Sequence, residues 1–485
     1  MPSRHPPGDD HQPAVEASVP LLYEWEQREP PADTGHLAYI AFFLLGLSQL
    51  LPWNVFMTAS EYFRLSFQGS AFVDNFANYF SGGYNFAGLA GTVLAVYSLR
   101  TASKSRWIIY SSLVNVAAFA IVAVVALTDA LGPDTFFALA LLLISITGVC
   151  TAYLQSGGFA LASLFPPIYT QAIMSGQGVA GLAPSLIQLF NALTVPLDSE
   201  DPYDGALLES RADARWRAFL YFVLALIAIL VSLAGYIQLR QLPIYKHYAS
   251  NHSVNVVEAE SGSPGVTSQI EEDDRVQIDD ATSRMQDGEA SEQAVAAPEH
   301  SSLQVLWSIR TLALAVFLIF FVTLSVFPAI TVSVVPGDSE MQPRRNLFVA
   351  IHFVVYSAGD WLGRTLPTFL RPRFLSSDRS LLTATIARIL LLPLLLLTNV
   401  KTASRWYAPR ITGDQTFMLL VAILAITNGW FSSLAMMRGP LRVRTLDRPQ
   451  AGTLMVLVMV LGLATGSWAS FSMRAIVCGC NPFAR

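Results

Sequence analysis

The chain has 485 residues, of which 53% are hydrophobic and only 13% charged, and its mean hydropathy is +0.45. That is too apolar for a soluble globular protein of this length and reads as an all-α polytopic membrane protein. The net charge of -5 argues against nucleic acid as a partner. Three cysteines, Cys150, Cys478 and Cys480, neither make a disulfide framework nor pair with histidines at metal-ligand spacing, so no metal is expected.

Residues 1–35 are polar and acidic and read as a disordered cytoplasmic tail. With no basic start and no apolar core, they are not a signal peptide. Their Glu16-Ala-Ser-Val-Pro-Leu-Leu22 is one residue longer than the usual acidic dileucine spacing. Apolar runs follow near 37–58, 77–98, 106–128, 135–159, 169–195 and 216–239, six spans within 36–240. A second set lies near 303–328, 346–368, 379–399, 414–437 and 450–475, within 302–476. The total is about eleven transmembrane helices, each long enough for a hydrocarbon core of ~30 Å. Between the sets, 241–301 is rich in Ser, Asp, Glu and Gln, with an acid run Glu271-Glu-Asp-Asp274, and reads as a disordered cytoplasmic linker. Residues 477–485 form a short tail on the far side.

Short-loop Lys and Arg set the orientation. Arg100, Lys104 and Arg106 follow the second span, Arg371, Arg373 and Arg379 the eighth, and Arg438, Arg442, Arg444 and Arg448 the tenth, which places these loops and the amino terminus in the cytoplasm. The loops after spans one, three and five carry Glu61 and Asp74, Asp129 and Asp134, and Asp198, Glu200, Asp201 and Asp204, and fit the opposite side. Lys401, Arg405 and Arg410 disagree, since they follow the ninth span on the predicted outer side. The sequon Asn251-His-Ser253 falls in the linker, where this topology forbids glycosylation.

Polar residues inside the apolar runs carry the chemistry. Asp360 and Arg364 stand four apart in the eighth span, on one helical face with Phe353 and Ser357. A charge at mid-bilayer costs roughly 2.5–3.5 kcal/mol on insertion scales, so this pair either grips a polar solute or locks two helices. In the first span Leu50, Trp53 and Met57 share a face, with Pro52 able to bend the helix and Asn54 a polar group at depth. Trp53 reads as an interfacial anchor or as a stacking surface for a flat ring. Gln155 in the fourth span offers donor and acceptor to a nucleobase edge or to a neighbouring helix. Gly176, Gly178 and Gly181 in the fifth span happen to fit G-x-G-x-x-G. No strand precedes them, so close helix packing or a locally opened backbone explains them better than a dinucleotide. Arg388 in the ninth span needs an acid, and Asp360 is the candidate that it shares with Arg364. Asn428 and Gly429 in the tenth span mark an interruption or a close crossing. His352 is either a pH sensor or a histidine satisfied by a neighbour. No P-loop, metal set or nucleophile–base pair is present to suggest an enzyme.

Taken together, Leu51-Pro-Trp-Asn54, Leu154-Gln155, Met174-Ser-Gly-Gln-Gly178, Asp360-Trp-Leu-Gly-Arg364, Ala387-Arg388 with Pro393, and Asn428-Gly429 with Pro440 occur in an order that resembles the equilibrative nucleoside transporter family. The resemblance spans nearly the whole membrane part. It implies a major-facilitator-like fold split six plus five, without a cofactor, that carries purine and/or pyrimidine nucleosides by facilitated diffusion through alternating access. Its partners would be the nucleoside and the lipid bilayer, with no protein partner implied. Carried over by position, the binding residues would be Leu50, Trp53, Met57, Gln155, Phe353, Asp360 and Arg364, with Gln155 at the base edge and Asp360 and Arg364 at the ribose. Ser357 stands where some members have asparagine. Two rival readings are a proton-coupled carrier using Asp360 or His352, and a membrane receptor or scaffold on the same fold. The acidic tail suits either the plasma membrane or a vacuolar or endosomal membrane.

Overall fold

The computed structural model describes residues 31–73, 75–98, 103–128, 131–194, 211–249, 301–337, 344–370, 372–402 and 405–479. The dileucine-like stretch, residues 250–300 of the linker with its sequon, Asp74, Arg100, Asp129, Asp198, Glu200, Asp201, Asp204, Arg371 and Cys480 lie outside the described residues. The start of the expected disordered linker is corrected: 243–249 are helical, with Tyr245 and Tyr248 packed on the apolar core. The long helices of the first half are α1 (Leu37–Thr58), α2 (Phe76–Ser98), α3 (Lys104–Thr128), α4 (Pro133–Ala162), α5 (Pro167–Thr194) and α6 (Arg211–Gln241). Those of the second are α7 (Ser302–Val326), α8 (Arg345–Phe369), α9 (Asp378–Leu396), α10 (Asp414–Arg438) and α11 (Arg448–Cys478).

Among the described residues, eight helices are long and apolar enough to cross a membrane, fewer than the eleven expected. The three long helices outside that set are α2, α5 and α8. Their hydropathy is lowered by residues such as Asn78 and Asn85 on α2, Gln171 and Gln177 on α5, and Asp360 and Arg364 on α8. These are helices with which the halves face each other: α5 packs on α8, and α2 on α11. On α5 and α8 these polar residues are buried against protein, whereas Asn78 and Asn85 of α2 are exposed.

Local chemistry sets the boundaries. Asp33 accepts from the backbone N–H of Ala38 (2.9 Å) and Tyr39 (3.1 Å), capping α1, so the ordered body begins slightly before the expected end of the tail at residue 35. Ser301 and Gln304 form a reciprocal capping box at the start of α7. Within α9, Pro393 leaves the carbonyl one turn back without its N–H, and Arg388–Leu390 tighten into a 3-10 turn between Asp378–Ala387 and Leu391–Leu396.

The basic loop after α9 that disagreed with the charge rule has a structural explanation. Arg405 turns back to donate to the carbonyls of Leu396 (3.1 Å), Thr398 (3.0 Å) and Val400 (3.3 Å), and it lies over the ring of Tyr407. It closes the carboxyl end of a helix, a position that favours a cation whichever side of the membrane it faces.

Burial divides unevenly along the bundle. At the end that carries the amino terminus, one apolar core joins both halves, with Phe42, Ile173 and Tyr236 packed in a common cluster with Val316, Phe431 and Met455. Towards the opposite end the halves have separate cores. The first half stacks phenylalanines there, among them Phe56, Phe63, Phe80, Phe119 and Phe222. The second packs Val326, Ile330, Phe348, Leu395 and Phe417. The bundle is thus sealed at the amino-terminal face and consists of two independently packed units at the other.

Candidate functional site

Two glycine-mediated crossings set the helices that carry the polar residues. A side chain at Gly46 or Gly176 would run into the backbone of the facing helix, at Ile173 and Phe43 respectively, which draws α1 and α5 together. Gly429 and Gly363 do the same for α10 and α8, meeting the carbonyls of Asp360 and Ile426. Such approach is the means by which helices in lipid gain contact area.

The close crossings bring a continuous polar chain into register. Arg364 Nε donates to Asp360 Oδ2 at 2.7 Å, as the four-residue spacing predicts, and both residues are buried, 5% and 8% exposed. Asp360 Oδ1 accepts from Asn428 Nδ2 at 2.7 Å. Across the boundary between halves, Arg364 Nη1 donates to the Met174 carbonyl at 3.3 Å and to Gln177 Oε1 at 3.2 Å. Gln177 Nε2 donates to Gln49 Oε1 at 2.8 Å, and Gln49 reaches the Leu154 carbonyl through a long contact of 3.5 Å. Nearer the amino-terminal face, Gln171 Nε2 donates to the Arg364 carbonyl at 3.1 Å, and its Oε1 accepts from the Tyr39 hydroxyl at 3.0 Å. A buried ion pair needs its remaining donors and acceptors satisfied, and this chain supplies them.

The expectation that Arg388 draws on Asp360 is not met. Arg388 Nη2 donates to Thr323 Oγ1 at 2.8 Å and the Leu424 carbonyl at 3.2 Å, Nη1 to the Ile319 carbonyl at 3.0 Å, and Nε to Thr427 Oγ1 at 3.0 Å. Its link to the carboxylate is indirect, because the Thr323 hydroxyl also lies 2.8 Å from Asn428 Oδ1. The tight turn at Arg388–Leu390 and the carbonyls of neighbouring helices solvate this guanidinium, so it needs no acid of its own. Exchanging the charges, Arg388→Glu with Asp360→Arg, is therefore expected to recover no uptake beyond that of Arg388→Glu alone. Partial recovery in a vesicle assay would restore the direct pairing.

Other expected residues fall as follows. Asn54 Nδ2 donates to the Ala180 carbonyl at 2.8 Å and ties α1 to α5. Gly178 sits against Trp361 and the Arg364 side chain, with an added Cβ 3.1 Å from each. Gly181 is a correction: nothing lies within 4 Å of a Cβ there, so this glycine packs no helix. Leu50, Trp53 and Met57 are half-buried, and Trp53 lies against Tyr84 of α2 with ring centroids 4.8 Å apart. Phe353 and Ser357 are also half-buried. Ser357 Oγ is 2.7 Å from Ser185 Oγ of α5, and Phe353 meets Phe327 edge to face at 5.5 Å. His352 is satisfied by neighbours, its Nδ1 2.9 Å from the Val349 carbonyl and its Nε2 3.0 Å from Thr331 Oγ1. Gln155 is 6% exposed, and its amide has no hydrogen-bond partner among the described residues. The interhelical bond that would have given it a purely structural role is not made.

Sequence reasoning missed Gln49, Gln177, Gln171 and Tyr84. Gln49 and Gln177 stand inside stretches singled out for other reasons, Gly46–Met57 and Met174–Gly181. A polar amide in an apolar helix was the available signal, and attention to the glycines on either side of Gln177 hid it.

A helical bundle of two halves, sealed at one face around a buried carboxylate–guanidinium pair, has a fold of the major facilitator type. The fold is similar to that of the proton:xylose symporter XylE of the major facilitator superfamily, with a TM-score of 0.54 over 90% of this chain and 88% of that one, at 12% sequence identity. The sequence model of the nucleoside transporter family matches residues 140–475, and the chain belongs to that family. It is 30% identical over 482 residues to equilibrative nucleoside transporter 1 of Rattus norvegicus, covering 92% of this chain and 99% of that protein. It is 28% identical over 476 residues to the human protein of the same name, again covering 92% and 99%. The chain is an integral, multi-pass membrane protein of a transporter family.

Proposed function

We propose that this chain carries nucleosides by facilitated diffusion and that it binds them between the halves, beside the Asp360–Arg364 pair. Gln155 carries this reading: the residue is 6% exposed, yet its amide is neither hydrogen-bonded among the described residues nor sealed off, so it has donor and acceptor left for the edge of a base. It follows directly on Leu154, whose carbonyl belongs to the same polar chain as Asp360 and Arg364. The half-buried Trp53 and Phe353 supply flat apolar faces, Leu50 and Met57 line the approach, Ser357 adds a hydroxyl, and the ion pair meets the ribose hydroxyls. Sites of this kind combine apolar walls with a few placed polar groups.

The uneven core supports alternating access. At the amino-terminal face the halves are joined by Arg364 to Met174 and Gln177, by Gln171 to the Arg364 carbonyl, and by a shared apolar cluster. Rocking the halves about the site would break these contacts while each far-end core moves as a unit. By the loop charges, the sealed face is cytoplasmic and the arrangement is open towards the other side. Plasma, vacuolar and endosomal membranes all accept this topology.

The test is uptake of labelled adenosine and uridine into proteoliposomes holding the purified full chain. Entry that stops at equal concentration, ignores an imposed pH gradient and is competed by unlabelled nucleoside is expected. Accumulation that requires the gradient would overturn facilitated diffusion, and absence of uptake of both compounds would overturn the substrate class.

A further inference from the structure

A cleft of about 730 Å³ opens at the amino-terminal face, away from the site just described. Pro166, just before α5, and Ile168, in its first turn, form one wall. Leu370, just beyond α8, and Leu434, Met437 and Leu441 near the end of α10 form the other. The volume lies within the range of about 300–1,000 Å³ that holds small molecules. The lining is mostly apolar, with Thr368 and Ser376 as small polar exceptions and Arg438 as its one charged group, and the Arg438 Nη1 is buried without a hydrogen-bond partner. Arg442 holds Asp378 through two contacts, Nε to Oδ2 at 2.6 Å and Nη2 to Oδ1 at 2.8 Å, so this carboxylate acts on Arg438 through space and not as a hydrogen-bond partner.

Two observations define what fits. The rim is greasy and open, with Ile168, Leu370 and Leu441 each 40–50% exposed and Phe369 and Phe374 still more so, as expected where a helix end meets lipid. The surrounding charge is on balance positive, since Arg373, Arg379, Arg444 and Arg448 outnumber Asp378 and Asp447 in the same stretches. A ligand for this cleft therefore has a long apolar part and an anionic head. We propose that the cleft holds an anionic phospholipid from the leaflet at this face, its phosphate on Arg438 and an acyl chain along the Leu434, Met437 and Leu441 wall. Basic pockets between transmembrane helices bind lipid head groups in this way, and a guanidinium binds phosphate by charge-assisted hydrogen bonds. Arg438 lies ten residues beyond Asn428 on α10, about 15 Å at 1.5 Å per residue, so the head group stands clear of the polar chain, although Pro367 in the cleft wall is only one turn beyond Arg364. Because its walls come from both halves, the bound lipid favours the arrangement sealed at this face.

The test is native mass spectrometry of the full chain, delipidated and titrated with phosphatidylserine or phosphatidylcholine. The expected result is one retained phosphatidylserine, preferred over phosphatidylcholine by about fivefold, the worth of one basic residue near a membrane surface. Arg438→Gln should abolish the preference, with unchanged thermal unfolding in phosphatidylcholine. Met437→Trp, which fills the cleft and keeps the charge, should lower retention of both lipids. Equal phosphatidylserine retention by wild type and both variants would overturn the proposal. So would displacement of the lipid by millimolar inorganic phosphate, which would make this a free-anion site. A several-fold rise in lipid retention on deleting residues 1–30 would also overturn it, by making the chain's own acidic segment the occupant.

Discussion

Asp360→Asn is expected to reach the membrane in normal amount and to lose nucleoside uptake. The asparagine keeps the shape of the carboxylate and one acceptor oxygen, so it can still serve Asn428, which now donates to Oδ1 at 2.7 Å. What it cannot keep is the charge facing Arg364 Nε, 2.7 Å away. A hydrogen bond to a charged group contributes about 1.5–3 kcal/mol, which is roughly a tenfold to hundredfold loss in uptake if that charge also meets the substrate. Asp360→Ala is the harsher change. It leaves a buried guanidinium without its ion pair and an Asn428 amide without its acceptor, a loss of about 3–5 kcal/mol, and should appear as low expression before any transport is measured. Size-exclusion profiles taken beside uptake separate the two outcomes. Normal uptake in a well-expressed Asp360→Asn protein would remove this carboxylate from the substrate site and leave it a structural clamp between α8 and α10.

Much of the architecture was legible because hydrophobic runs long enough to span lipid leave little alternative to a helix, and the predicted spans differ from the observed helices by little more than a turn at their ends. The Asp360–Arg364 pair was legible for a similar reason: four residues along a helix fixes which groups meet. Partners across helices were not. Nothing in the spacing of Arg388 says that the carbonyls of Ile319 and Leu424 come within reach, since those belong to α7 and α10 and arrive only through packing. An unpaired cation in an apolar run suggested the one deep acid, whereas neutral oxygens of the surrounding helices suffice. Arg405 misled in the opposite sense, as a loop charge that looked topological and is a helix cap. The unevenly shared core, which gives the present arrangement a sealed face, depends on how two halves rotate against each other and has no signature in either half alone.

Four glycines that look alike in the sequence are expected to respond to alanine in a fixed order. At Gly429 the new methyl would run into the Asp360 carbonyl and stand 2.8 Å from the Arg364 nitrogen. At Gly176 it would run into the Phe43 carbonyl and stand 2.8 Å from the Leu47 nitrogen. In both cases the obstacle is the backbone of the neighbouring helix, which cannot turn aside as a side chain would. The helices must separate, and overpacking of that kind costs about 1–3 kcal/mol or more. Because these crossings set the register of the polar chain, Gly429→Ala and Gly176→Ala should lose uptake together with thermal stability. Gly178→Ala presses at 3.1 Å on Trp361 and on Arg364 Cδ. A shift of a few tenths of an ångström in that side chain weakens its bonds to Met174 and Gln177, so uptake should fall while the fold survives. Gly181→Ala meets nothing within 4 Å and should lie within about 0.5 kcal/mol of wild type in stability. Thermal unfolding and uptake measured on the four variants give the order directly. A Gly429→Ala protein as stable as Gly181→Ala would mean that α8 and α10 do not cross as closely as their glycines allow.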